Sequence, residues 1–532
     1  MTAAGETVAG GMALGATSGR SASGRSASGR GAGVVAGATV AGAVALLLAT
    51  ANPALALVPP ALVAAAYAVV RLPVRVPLFV LLALVVLSDV TPSAMPEGSG
   101  VWRSAVVPLQ LFLTENLNKL VGVEAVKVSG AELVMLGLLA LAALRTVAGD
   151  RTDAAGRVPV ARPLVLALLL ALGAVLALEV WGLARGGDPR QSFWQLRLML
   201  VLPPLTLLAC AALRDARDAV TFAAVITGVS CLKIAIGAYY YFAVARPAGV
   251  VPATVTSHSD SVLFVVTMAG WIAAAYYRPT PGRVALAAGV AAWTLFGLVI
   301  NNRRTAYVTL AAAALTFYAV LPRRTRRTLL RLALCALPFG VLYLAVGSRR
   351  PTGVFAPAGM VMSVLTQKDA SSQTRDIENY NLLVTLKQNP VLGSGWGHEY
   401  IEVTQAYDIS ALFAQYRYIA HNSVLWLWSI GGLVGFTLLW LPLVVGAFLA
   451  ARAHAFATGP RERAVAYAAL ATYAAFVVQA WADMGTQSWT TQGLLAVALA
   501  ASGKVAVHTG AWPQGTRLFG ASVPGVRDGG PV

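Results

Sequence analysis

The chain is short of charge. Of its 532 residues only 12% are Asp, Glu, Lys or Arg and 58% are hydrophobic, whereas a soluble domain carries about 25% charge. That deficit excludes an ordinary water-soluble core and fits a polytopic membrane protein. Cysteine is scarcer still: Cys210, Cys231 and Cys335 are the only three, each inside an apolar run. A disulfide framework and a cysteine-based zinc site are therefore not expected. There is no Walker A, HExxH or CxxC signature, and no Asp-x-Asp pattern in a segment placed outside the membrane. Neither a metal nor a cofactor is expected. Acidic residues number 22 against 40 Lys and Arg, leaving a net charge of +18. Most of the Arg residues lie in short loops between apolar runs, where they set topology. Nucleic acid is not expected as a partner.

What is present is mostly membrane span. From Ala32 about fourteen candidates can be counted, each needing about 20 apolar residues. They lie near 32–51, 54–70, 76–90, 129–148, 163–183, 196–213, 219–242, 259–277, 284–301, 305–321, 329–347, 421–450, 464–482 and 490–507. Pro59-Pro60 interrupts the second. Residues 1–31, with SGRSASG repeated around Arg20, Arg25 and Arg30, read as a flexible basic tail. The first apolar run reads as a retained span rather than a cleaved signal. The expected organisation is all-α: a disordered cytoplasmic tail over 1–31, spans over 32–347, one large extracytoplasmic loop with short helices over 348–420, spans over 421–507, and a cytoplasmic tail over 508–532.

Orientation follows from basic residues in the loops. With the N-terminus inside, the inner loops hold Arg71 and Arg75; Arg145, Arg151, Arg157 and Arg162; Arg214 and Arg217; Arg278 and Arg283; Arg323, Arg324, Arg326, Arg327 and Arg331; and Arg452, Arg461 and Arg463. The cluster at 323–331 is the firmest pin and sends 348–420 outside. Cysteines placed at Ser372 and Thr325 test this with a membrane-impermeant thiol reagent on intact cells. The Ser372 position is expected to label and the Thr325 position to stay silent; the reverse pattern overturns the topology.

The loop 348–420 is too long for a bare connection. Over Thr374–Gln388 the residues Ile377, Tyr380, Leu383 or Val384, and Lys387 recur at helical spacing. Ser371 or Ser372 can cap the start, and Asn389-Pro390 ends the segment. The reading is a short helix lying against the membrane surface. The second outer loop, 91–128, is read as holding another interfacial helix.

Polar chemistry is confined to a few places. Arg303 and Arg304, preceded by Asn301 and Asn302, sit between two apolar runs at the outer face. Such a pair can simply snorkel to headgroups. The outer face is the wrong side for topology-setting charge, however, and a guanidinium fork suits a phosphate. Arg375 opens the loop helix, where an Arg can equally be just solvated. His421 precedes Asn422 where the chain re-enters the membrane. A neutral imidazole can take a proton from a hydroxyl near pH 7, and Asn422 reads as an orienter or cap. His258 and Asp260 start another span, with capping and function equally open. Lys233 lies mid-span, a functional signal by default, although the Tyr239–Tyr241 belt offers it a route to the interface.

Taken together, these pieces resemble the O-antigen ligase and polymerase family of bacterial membrane glycosyltransferases. NRRTA resembles the family's Ser-Arg-Gly/Thr element at the outer end of a span, with Arg304 at the Arg position and Arg303 replacing a small residue. TRDIENYNLLVTLKQNPVLGSGWG resembles the Arg-containing helix followed by Asn-Pro-x-x-Gly-x-Gly. AHNSVLWLWSIGGLVGF resembles the His-Asn pair and its Gly-Gly-Leu-x-Gly span. The resemblance covers roughly residues 295–440. It implies a helical membrane fold of the type shared by lipid-carrier glycosyltransferases (GT-C-type), and a metal-independent enzyme of the cytoplasmic membrane. The implied donor is a glycan carried on undecaprenyl pyrophosphate, and the acceptor a glycan, lipid or protein. Arg304 and Arg375 would grip the pyrophosphate, Arg303 standing beside them, and His421 would assist the acceptor hydroxyl. Ligase and polymerase share these motifs. A polytopic transporter or lipid-linked oligosaccharide flippase is the rival class, and a non-catalytic envelope scaffold a third.

Overall fold

The computed structural model describes residues 38–45, 48, 58–89, 109–110, 112–117, 128–148, 158–249, 252, 255–350, 353–355, 357–359, 361–362, 370–405, 408, 410, 415–513 and 515–516. The tail expected at 1–31, the end of the tail expected at 508–532, much of the first expected span and most of 91–128 lie outside these residues.

Helix α1 (Val58–Arg71) belongs to a unit of its own that ends at Leu72. Pro59 and Pro60 fall in its first turn. There a missing N–H costs nothing, so they start this helix rather than interrupt it. The second unit holds α2 (Arg75–Ser88), α3 (Gly130–Val147), α4 (Arg162–Ala184), α5 (Pro189–Ala212), α6 (Ala216–Tyr239), α7 (Asp260–Tyr277), α8 (Pro281–Asn301), α9 (Arg304–Val320), α10 (Arg323–Arg349), α11 (Ala370–Gln388), α12 (Ser423–Phe456), α13 (Pro460–Ala482) and α14 (Trp489–His508). A two-residue antiparallel pairing, β1 (Val160–Ala161) with β2 (Gly515–Thr516), is the sheet found among the described residues.

Among the described residues ten helices are long and apolar enough to cross a membrane, against the roughly fourteen candidates counted along the whole sequence. Of the other four candidates, 32–51 lies largely outside the described residues and three are shorter helices. Helices α1 and α2 have 14 residues each and α9 has 17, which at 1.5 Å per residue gives about 21 and 26 Å against a hydrocarbon core of about 30 Å.

Helix α14 is the centre of the bundle: every residue from Trp489 to Ala506 is buried. Its run of Gly493, Ala496, Ala498, Ala500, Ala501 and Gly503 lets neighbouring backbones approach closely, the usual solution where lipid supplies no hydrophobic drive between helices. Helix α10 is the opposite case, burying only Gly347. Buried charges are paired. Arg197 of α5 forks onto Glu132 at 2.6 and 2.9 Å and reaches Asn116 at 2.6 Å, while Glu132 closes a capping box with Ser129 at the start of α3.

Helix α12 is broken at Gly432 (φ 56°, ψ −163°), a conformation that needs glycine. The turn after α11 closes the break. Ser394 and Gly395 donate to the carbonyls of Ser429 and Ile430 at 3.1 and 2.9 Å, and Leu433 and Val434 donate back to Pro390 and Val391 at 2.9 and 3.1 Å. Gly393 (φ +70°) touches the backbone so closely that a Cβ would lie 2.0 Å from the Ile430 oxygen. The same turn is held from α4 and α5. The Trp181 indole and Arg185 donate to the Gly393 carbonyl at 3.2 and 3.1 Å. The fully buried Gln195 side chain accepts from Gly397 N–H and donates to the His398 and Tyr418 carbonyls. Irregular backbone is tolerated beside a span only where its polar groups are satisfied in this way.

Candidate active site

The polar residues of the three motifs gather at one end of the bundle, and local structure explains how each arrives there. Asn302 caps α8 in the left-handed conformation (φ 53°, ψ 39°), which Asn tolerates better than most residues. The chain thus turns sharply between α8 and α9. Arg303 follows as the extended residue ahead of α9, and its side chain reaches the Nε2 of His258. Arg304 is half-buried in the first turn of α9. Arg303 is therefore the member of the pair that the structure brings to His258.

Helix α11 carries Arg375 and, one turn on, Glu378. It buries Glu378, Asn381, Leu382 and Thr385 and exposes Tyr380 and Leu383. The face turned toward the protein is largely polar. Asn381 explains part of that choice: it accepts from Val403 and Thr404 N–H and donates to the Thr404 carbonyl, holding the returning chain.

His421 meets Glu378. Its Nδ1 lies 3.1 and 3.3 Å from the two carboxylate oxygens, and its backbone N–H donates to the same group at 3.1 Å. Glu378 is buried, so the contact fixes the imidazole and leaves Nε2 as the nitrogen able to take a proton. Burial pushes the His421 pKa down, but the hydrogen bond and charge of Glu378, with Asp483 behind, outweigh it; the net direction is up. Asn422 caps α12 by accepting from Val424 and Leu425 N–H, and its amide donates to Asn379 at 3.0 Å.

Asp483, at the end of α13, is the carboxylate that faces the cations. It holds the Nδ1 of His258 at 2.7 Å. Burial would raise its pKa; the hydrogen bond to His258 and the positive charge around it hold it well below the usual carboxylate range. Arg303 is lowered to about 10 by burial, with Asp483 opposing and Arg375 adding to the effect, and so stays cationic at neutral pH. The Arg375 charge acts on Arg303, His421 and Asp483 alike. The Nε of Arg303 and of Arg375 are both buried without a hydrogen-bond partner among the described residues. Two guanidinium groups, each with a donor to spare, thus act on the carboxylate of Asp483, which also acts on the His421 imidazole. That set suits a ligand with several anionic oxygens and a hydroxyl to be deprotonated.

Lys233 does not belong to this set and does not snorkel. It is fully buried, ion-paired to Asp260 at 2.6 Å, and donates to the carbonyls of Val86 and Asp89 at 2.9 Å each. A buried partner on the next helix is a better resting place for the ammonium than a climb past the tyrosine belt. Glu378 and Asp483 were not singled out in the sequence. The signal for Glu378 was its three-residue spacing from Arg375, which puts both on one helical face; Asp483, in a short polar joint, carried none.

Residues 289–441 match the family model described as O-antigen ligase. The match takes in Arg303, Arg304, Arg375, Glu378, His421 and Asn422 and leaves out His258, Lys233 and Asp483. No curated protein matches the chain.

Proposed function

We propose that this protein, whose residues 289–441 match the O-antigen ligase family model, is a glycosyltransferase of the bacterial cytoplasmic membrane. It transfers or polymerises glycan carried on undecaprenyl pyrophosphate at the outer face, with 348–420 outside and both termini in the cytoplasm. The observation that carries this reading is that Arg303, Arg375 and His421, from three separate segments, all lie within the electrostatic reach of Asp483. An acceptor hydroxyl, on a glycan, a lipid or a protein, attacks the anomeric carbon of the donor. The bond from that carbon to the pyrophosphate oxygen breaks, and undecaprenyl pyrophosphate leaves with the electron pair. The hydroxyl proton goes to Nε2 of His421, with Glu378 holding the imidazolium. Arg303 and Arg375 neutralise the charge growing on the leaving group, each contact worth roughly 1.5–3 kcal/mol. Arg304, next along the chain, supports the same phosphate-facing patch. The reading needs no metal ion, because two fixed guanidinium groups do the neutralising.

Reconstitution tests this. The purified full chain in proteoliposomes is given an undecaprenyl-pyrophosphate-linked oligosaccharide and a hydroxyl-bearing acceptor. The expected products are transferred glycan and free undecaprenyl pyrophosphate in equal amounts. A ladder built on one lipid carrier marks a polymerase, and single-step transfer marks a ligase. Passage of intact lipid-linked glycan across the bilayer with no undecaprenyl pyrophosphate released would overturn the enzyme in favour of a flippase.

A further inference from the structure

An arginine can only donate hydrogen bonds. The contact of the Arg303 guanidinium with Nε2 of His258 therefore requires a lone pair on that nitrogen. The ring proton must then sit on Nδ1, where Asp483 accepts it at 2.7 Å. The three side chains form one ordered line in which carboxylate, neutral imidazole and guanidinium each fix the next.

The seat of His258 is built with unusual rigidity. Asn301, fully buried, accepts from Val255 and Thr256 N–H at 3.3 and 3.0 Å and donates to the Ser257 carbonyl at 3.2 Å. Asp260 accepts from Ser257 N–H at 2.9 Å while Lys233 holds its other oxygen at 2.6 Å. Ser259 donates to Asp89 at 3.1 Å. Residues on both sides of His258 are thus clamped, in part by Asn301 of the very motif that supplies Arg303. Capping does not account for this, since no side chain caps α7.

We infer that His258 is a positioning residue, held by Asp483, that aims the Arg303 guanidinium at the pyrophosphate of the donor. The inference rests on the reading of Arg303 as a pyrophosphate-gripping group. It assigns Lys233 a task as well: the buried ion pair with Asp260 anchors the seat from below.

Inorganic pyrophosphate is the probe. Its equilibrium binding to the full chain in lipid nanodiscs is measured with radiolabel for the wild type, Arg303→Ala, His258→Ala, His258→Gln and His258→Asn, each with its melting temperature. Arg303→Ala is expected to lose at least tenfold in affinity; unchanged affinity there would remove Arg303 from the phosphate site and this inference with it. If Arg303→Ala loses affinity, His258 decides the rest. His258→Ala is expected to weaken binding about tenfold. His258→Gln, whose amide oxygen can replace Nε2 as acceptor for Arg303, is expected within about threefold of wild type. His258→Asn, which keeps a donor for Asp483 but has no acceptor at that reach, is expected to resemble His258→Ala. Equal affinity in the Gln and Asn variants overturns the inference while leaving Arg303 in place. Should His258→Ala fail to fold, the Gln and Asn pair still decides.

Discussion

Arg303→Ala and Arg375→Ala are each expected to cut glycan transfer by about 10²-fold or more while the protein remains in the membrane. Each guanidinium carries a buried Nε with no partner among the described residues, and both lie within reach of the same charges. Removing either leaves the leaving pyrophosphate with half of its neutralising charge at the moment the glycosidic bond breaks. Lysine at either position is expected to rescue poorly, because an ammonium cannot hold two phosphate oxygens in one plane. Transfer assays on membranes matched for protein content check this. Full activity in Arg375→Ala would remove Arg375 from the mechanism.

The second large effect is expected at His421. His421→Ala and His421→Gln should lower turnover by roughly 10²-fold or more with little change in donor affinity. The base must be neutral to act, so the rate rises with pH through its pKa. That pKa is raised: burial lowers it, but Glu378 and Asp483 more than compensate. The acid limb of the rate profile should therefore lie above the ordinary histidine value of about 6.5. Glu378→Gln removes the negative charge while keeping a side chain of the same shape, so it should move the limb to lower pH and reduce the plateau. Turnover and donor affinity measured across pH for the three variants separate a base from an anchor. A limb that stays put in Glu378→Gln would mean another group titrates.

Much of this arrangement was legible in the sequence, for physical reasons that differ residue by residue. The Arg303-Arg304 pair, Arg375 and His421 stood out because polar residues are rare in a chain this apolar and all lie at segment ends, with Arg304 rather than Arg303 at the family's Arg position. The helix was visible over Thr374–Gln388 from its spacing and its Asn389-Pro390 stop, but the polar residues that it turns toward the protein were not. Glu378, Asn381 and Thr385 turn inward, where they hold His421 and the chain at 401–404. Lys233 was legible as exceptional but not as paired, since its partner Asp260 lies on another helix. Asp483 was invisible for the same reason, as its meaning depends on His258, far away in the chain. Composition marks α2 and α9 as apolar, and their 14 and 17 residues make them short among the helices of the second unit.

The break in α12 has a consequence for protein engineering. Its free amides and carbonyls are matched one for one by the turn over 390–395, and that turn is gripped in its turn by Trp181, Arg185 and Gln195. The turn over 390–395 and the helices that hold it are thus a single cassette. A chimera that imports a relative's loop to change acceptor choice must bring the α4–α5 hairpin and the first half of α12 with it. A loop grafted alone would arrive with hydrogen bonds addressed to a seat that is not there.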